Sequence, residues 1–286
     1  MSDRTQALRL ETPIKMAQIA NEDIIEDARA TRPGVQWKID LERARLLTES
    51  YKQTEEEPMV IRRAKALAYI LDNMTIYTRP TELLVGNIAS TPDGVCHYPE
   101  YQYKWVERET APGKIYADLL TDEERKELKE IDSYWEKLAI HHIIRKYYPD
   151  ELQDITFTFQ AEAVTPNYEK ILRIGLNGIA QEAKDRKERL EKEYLDEALN
   201  GVEYVKKRNF LDGVIIAMEA GARWGKRYAA LAWKQAKDEK DPVRKKELET
   251  IASNCEQVPG GPARTFHEAM QCIVFIHYLV CFIESY

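Results

Sequence analysis

The residues best suited to metal ligation or nucleophilic chemistry are five histidines and four cysteines. His141 and His142 are adjacent, so on a helix their side chains point about 100° apart and cannot share an ion. His267 and His277 are ten residues apart, about 15 Å along a helix axis, which is too far for one metal. Cys96, Cys255, Cys272 and Cys281 form no Cys-x-x-Cys pair. Their spacing fits structural thiols in a reducing cytoplasm rather than disulfides or zinc. Cys272 and Cys281 belong to the apolar run CIVFIHYLVCFI. There a thiol acts as a small hydrophobe, with nothing beside it to stabilise a thiolate. The carboxylates are many, but they stand on charged helical stretches where solvation is the expected state. No phosphate-binding glycine loop, His-Glu-x-x-His or Gly-x-Ser-x-Gly motif occurs. One stretch does concentrate aromatic side chains: Cys96–Trp105, CHYPEYQYKW, broken by Pro99. A loop of this composition either lines a pocket or plugs the edge of a core.

Composition narrows the partners. The chain has 286 residues, 44% hydrophobic and 32% charged, with a formal net charge of -7. That length can bury one large core or two smaller ones. An acidic balance argues against nucleic acid, which needs a concentrated basic face. Arg62-Arg63 and Lys206-Lys207-Arg208 are basic clusters, but each sits among acidic residues and reads as a solvated helix face. The N-terminus, MSDRTQALRLETPIK, lacks the apolar core of a signal peptide. The most apolar run, Cys272 to Ile283, is too short to span a bilayer and carries His277 in its middle. Neither a membrane nor nucleic acid is expected as a partner.

The pattern is mainly α. Residues 1–12 are polar and read as frayed. A helix follows from Pro13 to about Ala30, stopped by Thr31-Arg32-Pro33-Gly34. Asp40 is the expected N-cap of the next helix, whose buried stripe is Leu41, Ala44, Leu46 and Leu47. Thr54–Glu57 forms a hairpin tip. Pro58 opens the second arm, with Ile61, Ala64, Leu67, Ala68, Ile70 and Leu71 on one face and Arg62, Arg63 and Lys65 at the surface. Glu82–Ala89, ELLVGNIA, is the clearest strand-like or buried extended run, followed by a Thr91–Gly94 turn. Thr121 and Glu124 spell a capping box for a helix expected to reach about Tyr148, with Leu138, Ile140 and Ile143 on its apolar side. Residues 151–165 read as a loop or irregular strand. Charged helices then span Tyr168 to Asn200 and Val202 to Asp238, the latter with glycines at 213, 221 and 225 suited to close crossing. Asp241-Pro242 caps a helix to about Glu256. Val258-Pro259-Gly260-Gly261-Pro262 breaks the chain before a last apolar helix. That helix reaches Tyr286 with no C-cap, so the sequence reads as continued beyond it.

Several motifs, in order, resemble the glycyl radical enzymes, the pyruvate formate-lyase-like family. They are Glu42–Leu46 (ERARL), Thr48–Tyr51 (TESY), Glu57-Pro58, Ile61–Leu67 (IRRAKAL), Glu82–Asn87 (ELLVGN) and Pro99-Glu100. Pro166–Tyr168 (PNY), Arg173–Leu176 (RIGL), Pro262–Ala269 (PARTFHEA), Ile276-His277 and Ile283–Ser285 continue the series. The resemblance implies that residues 1–286 are the N-terminal, helical portion of a ten-stranded α/β barrel. Such a barrel shields a thiyl radical that abstracts hydrogen from a small organic substrate under anaerobic conditions. The family's cysteine loop and radical-glycine loop are not in this sequence. The resemblance therefore assigns no catalytic residue here and places the glycyl radical on the missing C-terminal part, with no cofactor bound by this segment. It implies a chain inactive alone, whose partners are the rest of the enzyme, a radical S-adenosylmethionine activating enzyme and, in the complete protein, a second copy.

The family fold makes the aromatic loop and the segment 157–165 the parts expected to approach the cavity. Tyr98, Phe159, Gln160, Glu162 and Ala163 are the substrate-pocket candidates. Where dehydratase-type members carry a Gly-His pair, this chain has Glu162 and Ala163 before Thr165-Pro166-Asn167-Tyr168. That form resembles the fumarate-adding benzyl- and alkylsuccinate synthases. The alternatives are a glycyl radical lyase (an arylacetate decarboxylase, a diol- or choline-type lyase or a formate acetyltransferase) or a non-catalytic helical scaffold.

Overall fold

The computed structural model describes residues 38–102, 104–112, 117–145, 147, 165–196 and 198–283. The helix expected over 13–30 and the loop 151–164 lie outside them.

The described chain begins with a short strand, β1 (Lys38–Asp40), paired in parallel with β2 (Gly94–Cys96). Between them stands a helical hairpin, α1 (Glu42–Gln53) and α2 (Met59–Asn73). Leu41, not Asp40, is the N-cap of α1, because Asp40 closes β1. The Asp40 carboxylate still caps the helix: its Oδ1 accepts the Glu42 N–H at 2.9 Å, and its Oδ2 accepts the Ser90 N–H and hydroxyl, each at 2.6 Å. Pro58 is likewise the N-cap of α2 rather than its first helical residue. Leu41, Ala44, Leu46 and Leu47 are buried as expected.

Arg62 corrects the surface reading, being 8% exposed. Its guanidinium donates to the Tyr51 carbonyl at 2.9 Å and stacks 4.5 Å from the Tyr51 ring centre. Tyr51 stands in the last turn of α1, where carbonyls lack helical N–H partners and the helix dipole favours a cation. Lys65 does pair with Glu57, at 2.5 Å.

Glu82–Ala89, expected strand-like or buried and extended, is instead an irregular segment with bends at 83–84 and 88–89; Val85, Asn87 and Ala89 are buried but Leu83 is exposed. The Gln271 side chain acts as its edge partner. Its Oε1 accepts the Val85 N–H at 2.9 Å, and its Nε2 donates to the Val85 carbonyl at 2.7 Å. A side chain thus satisfies two buried backbone groups that would otherwise destabilise the fold.

The aromatic stretch runs from the end of β2 through one short helix, α3 (Pro99–Gln102), to the start of a second, α4 (Trp105–Glu109). The capping box opens α5 (Asp122–Trp135) as expected. The helix expected to reach Tyr148 instead breaks after Trp135, whose indole donates to Thr48 at 2.8 Å. The Trp135 carbonyl accepts the N–H of both Leu138 and Ala139 in a tightened turn, and α6 (Ile140–Arg145) starts afresh. The turn re-aims the chain, so Leu138, Ile140 and Ile143 are exposed rather than in the core.

The long helices are α7 (Tyr168–Leu195), α8 (Gly201–Asp238), α9 (Pro242–Gln257) and α10 (Phe266–Tyr278), the last running into a π-helical turn at Leu279–Ile283. Helix α8 is the mast, packed against α2, α7 and α9. Two of its three glycines mark a close crossing as expected: a Cβ on Gly221 would sit 2.6 Å from Leu176 and one on Gly225 2.6 Å from Pro259, whereas one on Gly213 would meet Val60 at an ordinary 3.4 Å. Trp224, Tyr228 and Phe275 close the core with ring centroids 5.0–5.4 Å apart. Such aromatic contacts add about 0.5–1.5 kcal/mol each beyond area burial.

Candidate functional site

Side chains of the aromatic loop alternate between two buried polar clusters. Cys96 and Tyr98 face α1, and His97 faces α5. On the first side, Arg43 of α1 is 4% exposed. It forks onto Glu100 at 2.6 and 3.3 Å and lies 4.3 Å from the Tyr98 ring centre. Its Nε donates to the Ile283 carbonyl at 2.9 Å. Burial by itself would lower the Arg43 pKa, but the adjacent Glu100 carboxylate outweighs it and the net shift is upward. Burial pushes the Tyr98 phenol up and the Cys96 thiol up to about 12, so both stay neutral. Tyr98, expected in a pocket, is half-buried in this cluster. Phe159, Gln160, Glu162 and Ala163 lie outside the described residues.

On the second side, His97 is fully buried and its Nε2 is 2.9 Å from Asp132 Oδ1. The Trp105 ring lies 6.0 Å from the imidazole. His97 Nδ1 and Asp132 Oδ2 are buried without a hydrogen-bond partner. Sequence reasoning missed this pair, because nothing in the spacing of residues 97 and 132 shows that they meet. Burial raises the Asp132 pKa, against the opposing pull of His97. A raised carboxylate stabilises the fold while protonated, below its unfolded value of about 3.9, and that contribution is lost as pH rises through the folded value. The stability of the wild type relative to Asp132→Asn is therefore expected to fall as pH rises from about 4. Urea denaturation of both proteins across this range measures it. A flat or rising difference would mean that His97, not burial, governs Asp132.

An apolar groove of about 690 Å³ opens between α2, α7, α8 and the π turn. Val60, Leu67, Ile171, Val214 and Leu279 line it, with Arg63, Asn167 and Lys170 as its polar members. Among the described residues no group of three or more His, Cys, Asp or Glu can hold a metal. Burial also raises Cys255, and Cys272 to about 12, so neither is an activated nucleophile. Among the described residues no helix is long and apolar enough to cross a membrane.

The pyruvate formate lyase-like profile matches residues 5–286. The chain belongs to the pyruvate formate lyase-like family. The isethionate sulfite-lyase of Desulfovibrio desulfuricans is 34% identical over 263 residues, covering 83% of this chain and 30% of the relative. The glycerol-bound B12-independent glycerol dehydratase from Clostridium butyricum superposes with a TM-score of 0.76 at 35% identity, covering 87% of this chain and 32% of that one. A glycyl radical enzyme from Archaeoglobus fulgidus superposes with a TM-score of 0.72 at 33% identity, covering 85% and 32%. The chain thus spans about 30% of the length of the curated relatives it matches. The fold is that of the helical part of these enzymes, as the motifs implied.

The family motifs supply several of the polar contacts of this fold. ERARL supplies Arg43, and Pro99-Glu100 supplies its partner. IRRAKAL supplies the buried Arg62. PARTFHEA supplies Arg264, whose guanidinium pairs with Glu268 at 2.7 Å across the first turn of α10.

Proposed function

We propose that this chain is the helical shell of a glycyl radical enzyme of the eliminating kind, a lyase or dehydratase acting on a small hydroxylated or sulfonated substrate. The observation that carries the reading is the similarity, over more than four-fifths of the chain, to a sulfite-lyase and a glycerol dehydratase. In that chemistry a thiyl radical removes a substrate hydrogen, the neighbouring C–S or C–O bond breaks, and a hydrogen atom is returned. The fumarate-adding reading that the sequence favoured gives way here to its lyase alternative, which the similar proteins support better. The fumarate-adding reading rests on Glu162 and Ala163, outside the described residues, and on Asn167. The fold uses Asn167 as the N-cap of α7, its side chain accepting the Lys170 N–H at 3.0 Å. A capping role explains Asn167 without reference to any substrate.

The part of this chain is exclusion. A carbon radical survives only where oxygen and stray hydrogen donors are kept out. The described helices offer a closely packed aromatic core and an apolar groove. In this reading the groove seats the remainder of the enzyme, and the chain alone is inactive. The remaining partners are a radical S-adenosylmethionine activating enzyme and a second copy of the complete protein, in an anaerobic cytoplasm.

The test is anaerobic expression of a complete polypeptide containing this chain together with its activating enzyme. A glycyl radical resonance is expected, with release of water or sulfite from two- and three-carbon hydroxy or sulfo substrates. Radical formation with turnover only of fumarate plus a hydrocarbon would restore the addition reading. Absence of any radical would leave the scaffold reading.

A further inference from the structure

We propose that Arg43 is a positioning residue that sets Tyr98 and the backbone leaving α10 relative to each other. Its importance for turnover rests on the enzyme reading above; its positioning role does not. Arg43 stands on α1, Tyr98 and Glu100 on the aromatic loop, and Ile283 at the end of the π turn. The three segments are separated by 57 and 240 residues in sequence, yet one guanidinium touches all of them. Nη1 and Nη2 hold both oxygens of Glu100, Nε holds the Ile283 carbonyl, and the flat face covers Tyr98.

Each contact uses a feature that only arginine has. The fork matches a carboxylate, the third donor lies in the same plane but points away, and the delocalised face stacks on an aromatic ring. A lysine ammonium in the same space keeps the charge but can serve only one of these directions. The Ile283 carbonyl accepts that third donor at 2.9 Å, in a buried contact. Glu100 is the anion that balances the cluster, since Cys96 and Tyr98 remain neutral. A buried ion pair of this kind is weak evidence for stability but can fix one arrangement among several. The arrangement here is the distance between the aromatic loop and the π turn at Leu279–Ile283.

Hydrogen exchange of the purified 286-residue chain tests the proposal. Arg43→Lys is expected to speed exchange about tenfold in both 96–101 and 279–283, with little change in α8 and α9. Glu100→Gln is expected to loosen 96–101 only, because the Nε contact to Ile283 survives. An effect spread evenly over all helices would make Arg43 a general stabiliser and overturn the proposal. So would unchanged exchange at 279–283 in Arg43→Lys, or equal loosening of both segments in Glu100→Gln. In the complete enzyme Arg43→Lys is expected to raise KM more than it lowers kcat. Should exchange change as expected while the complete protein forms no radical, the positioning role stands and the enzyme reading fails.

Discussion

Gly175→Ala is expected to cost about 3 kcal/mol or more of folding stability, a large share of the 5–15 kcal/mol that holds a typical domain together. Gly175 lies inside α7 with φ +68°, a left-handed backbone that a Cβ strains. A Cβ there would also stand 2.3 Å from the Gly260 carbonyl oxygen and 2.5 Å from the Gly261 carbonyl carbon. Both obstacles are backbone, so no side chain can rotate out of the way. The kink has a purpose in the hydrogen-bond pattern. The N–H groups of Leu176 and Asn177 turn away from their own helix and donate to the carbonyls of Pro259 and Gly260, at 2.9 and 3.0 Å. The glycine-rich break between α9 and α10 is thereby hydrogen-bonded into α7. Gly213→Ala is the matched control. Its Cβ would meet Val60 at 3.4 Å in an ordinary helical backbone, where alanine is the better helix former by about 1 kcal/mol. Urea midpoints of the two variants decide the matter. A Gly175→Ala midpoint no lower than that of Gly213→Ala would make the kink incidental.

The same position shows what the sequence does and does not reveal. The break at 258–262 is legible because proline and glycine punctuate the chain locally. Its docking on Gly175 is not, because a helical pattern over 168–200 has no mark for one residue of positive φ. Caps were readable for the same local reason: Thr121 with Glu124, and Asp241 before Pro242, lie within four residues of the groups they satisfy. Arg62 was misread because its partner is the carbonyl end of a neighbouring helix, and charge alone points to the surface. Of the candidate site, aromatic density drew attention to the loop that carries Tyr98, whereas Arg43, Glu100, His97 and Asp132 meet only through tertiary packing. The family motifs had already marked Arg43 and Glu100, so the wording of the sequence carried the joint before its geometry was known.

Asn87→Ala is expected to cost about 3–5 kcal/mol, and Asn87→Asp at neutral pH at least as much. Asn87 ends the ELLVGN motif and is 4% exposed. Its Nδ2 donates to the carbonyls of Thr75 and Ala89, both at 2.8 Å. Its Oδ1 accepts the Tyr228 hydroxyl and, at 3.4 Å, the Tyr77 N–H. Alanine strands all four groups in a buried site, each uncompensated group costing about 1–3 kcal/mol when no water can replace the amide. Aspartate keeps the two acceptor contacts but sets a carboxylate oxygen against two carbonyl oxygens. Burial and that repulsion raise its folded pKa above the unfolded one, so its stability is present at low pH and lost as pH rises through the folded value. Asn87→Asp should therefore recover toward wild type on acidification while Asn87→Ala should not, a contrast that urea titrations at two pH values measure. Tyr228→Phe removes only one donor and should cost about 1 kcal/mol. Its combination with Asn87→Ala should be less than additive, since both then lack the same bond. Additive losses would separate Tyr228 from the joint. Coupled losses would tie the irregular segment 82–89 to the mast helix α8 through one amide, next to the place where Gly86 lets the Tyr278 ring of α10 approach so closely that a Cβ would stand 2.5 Å from it.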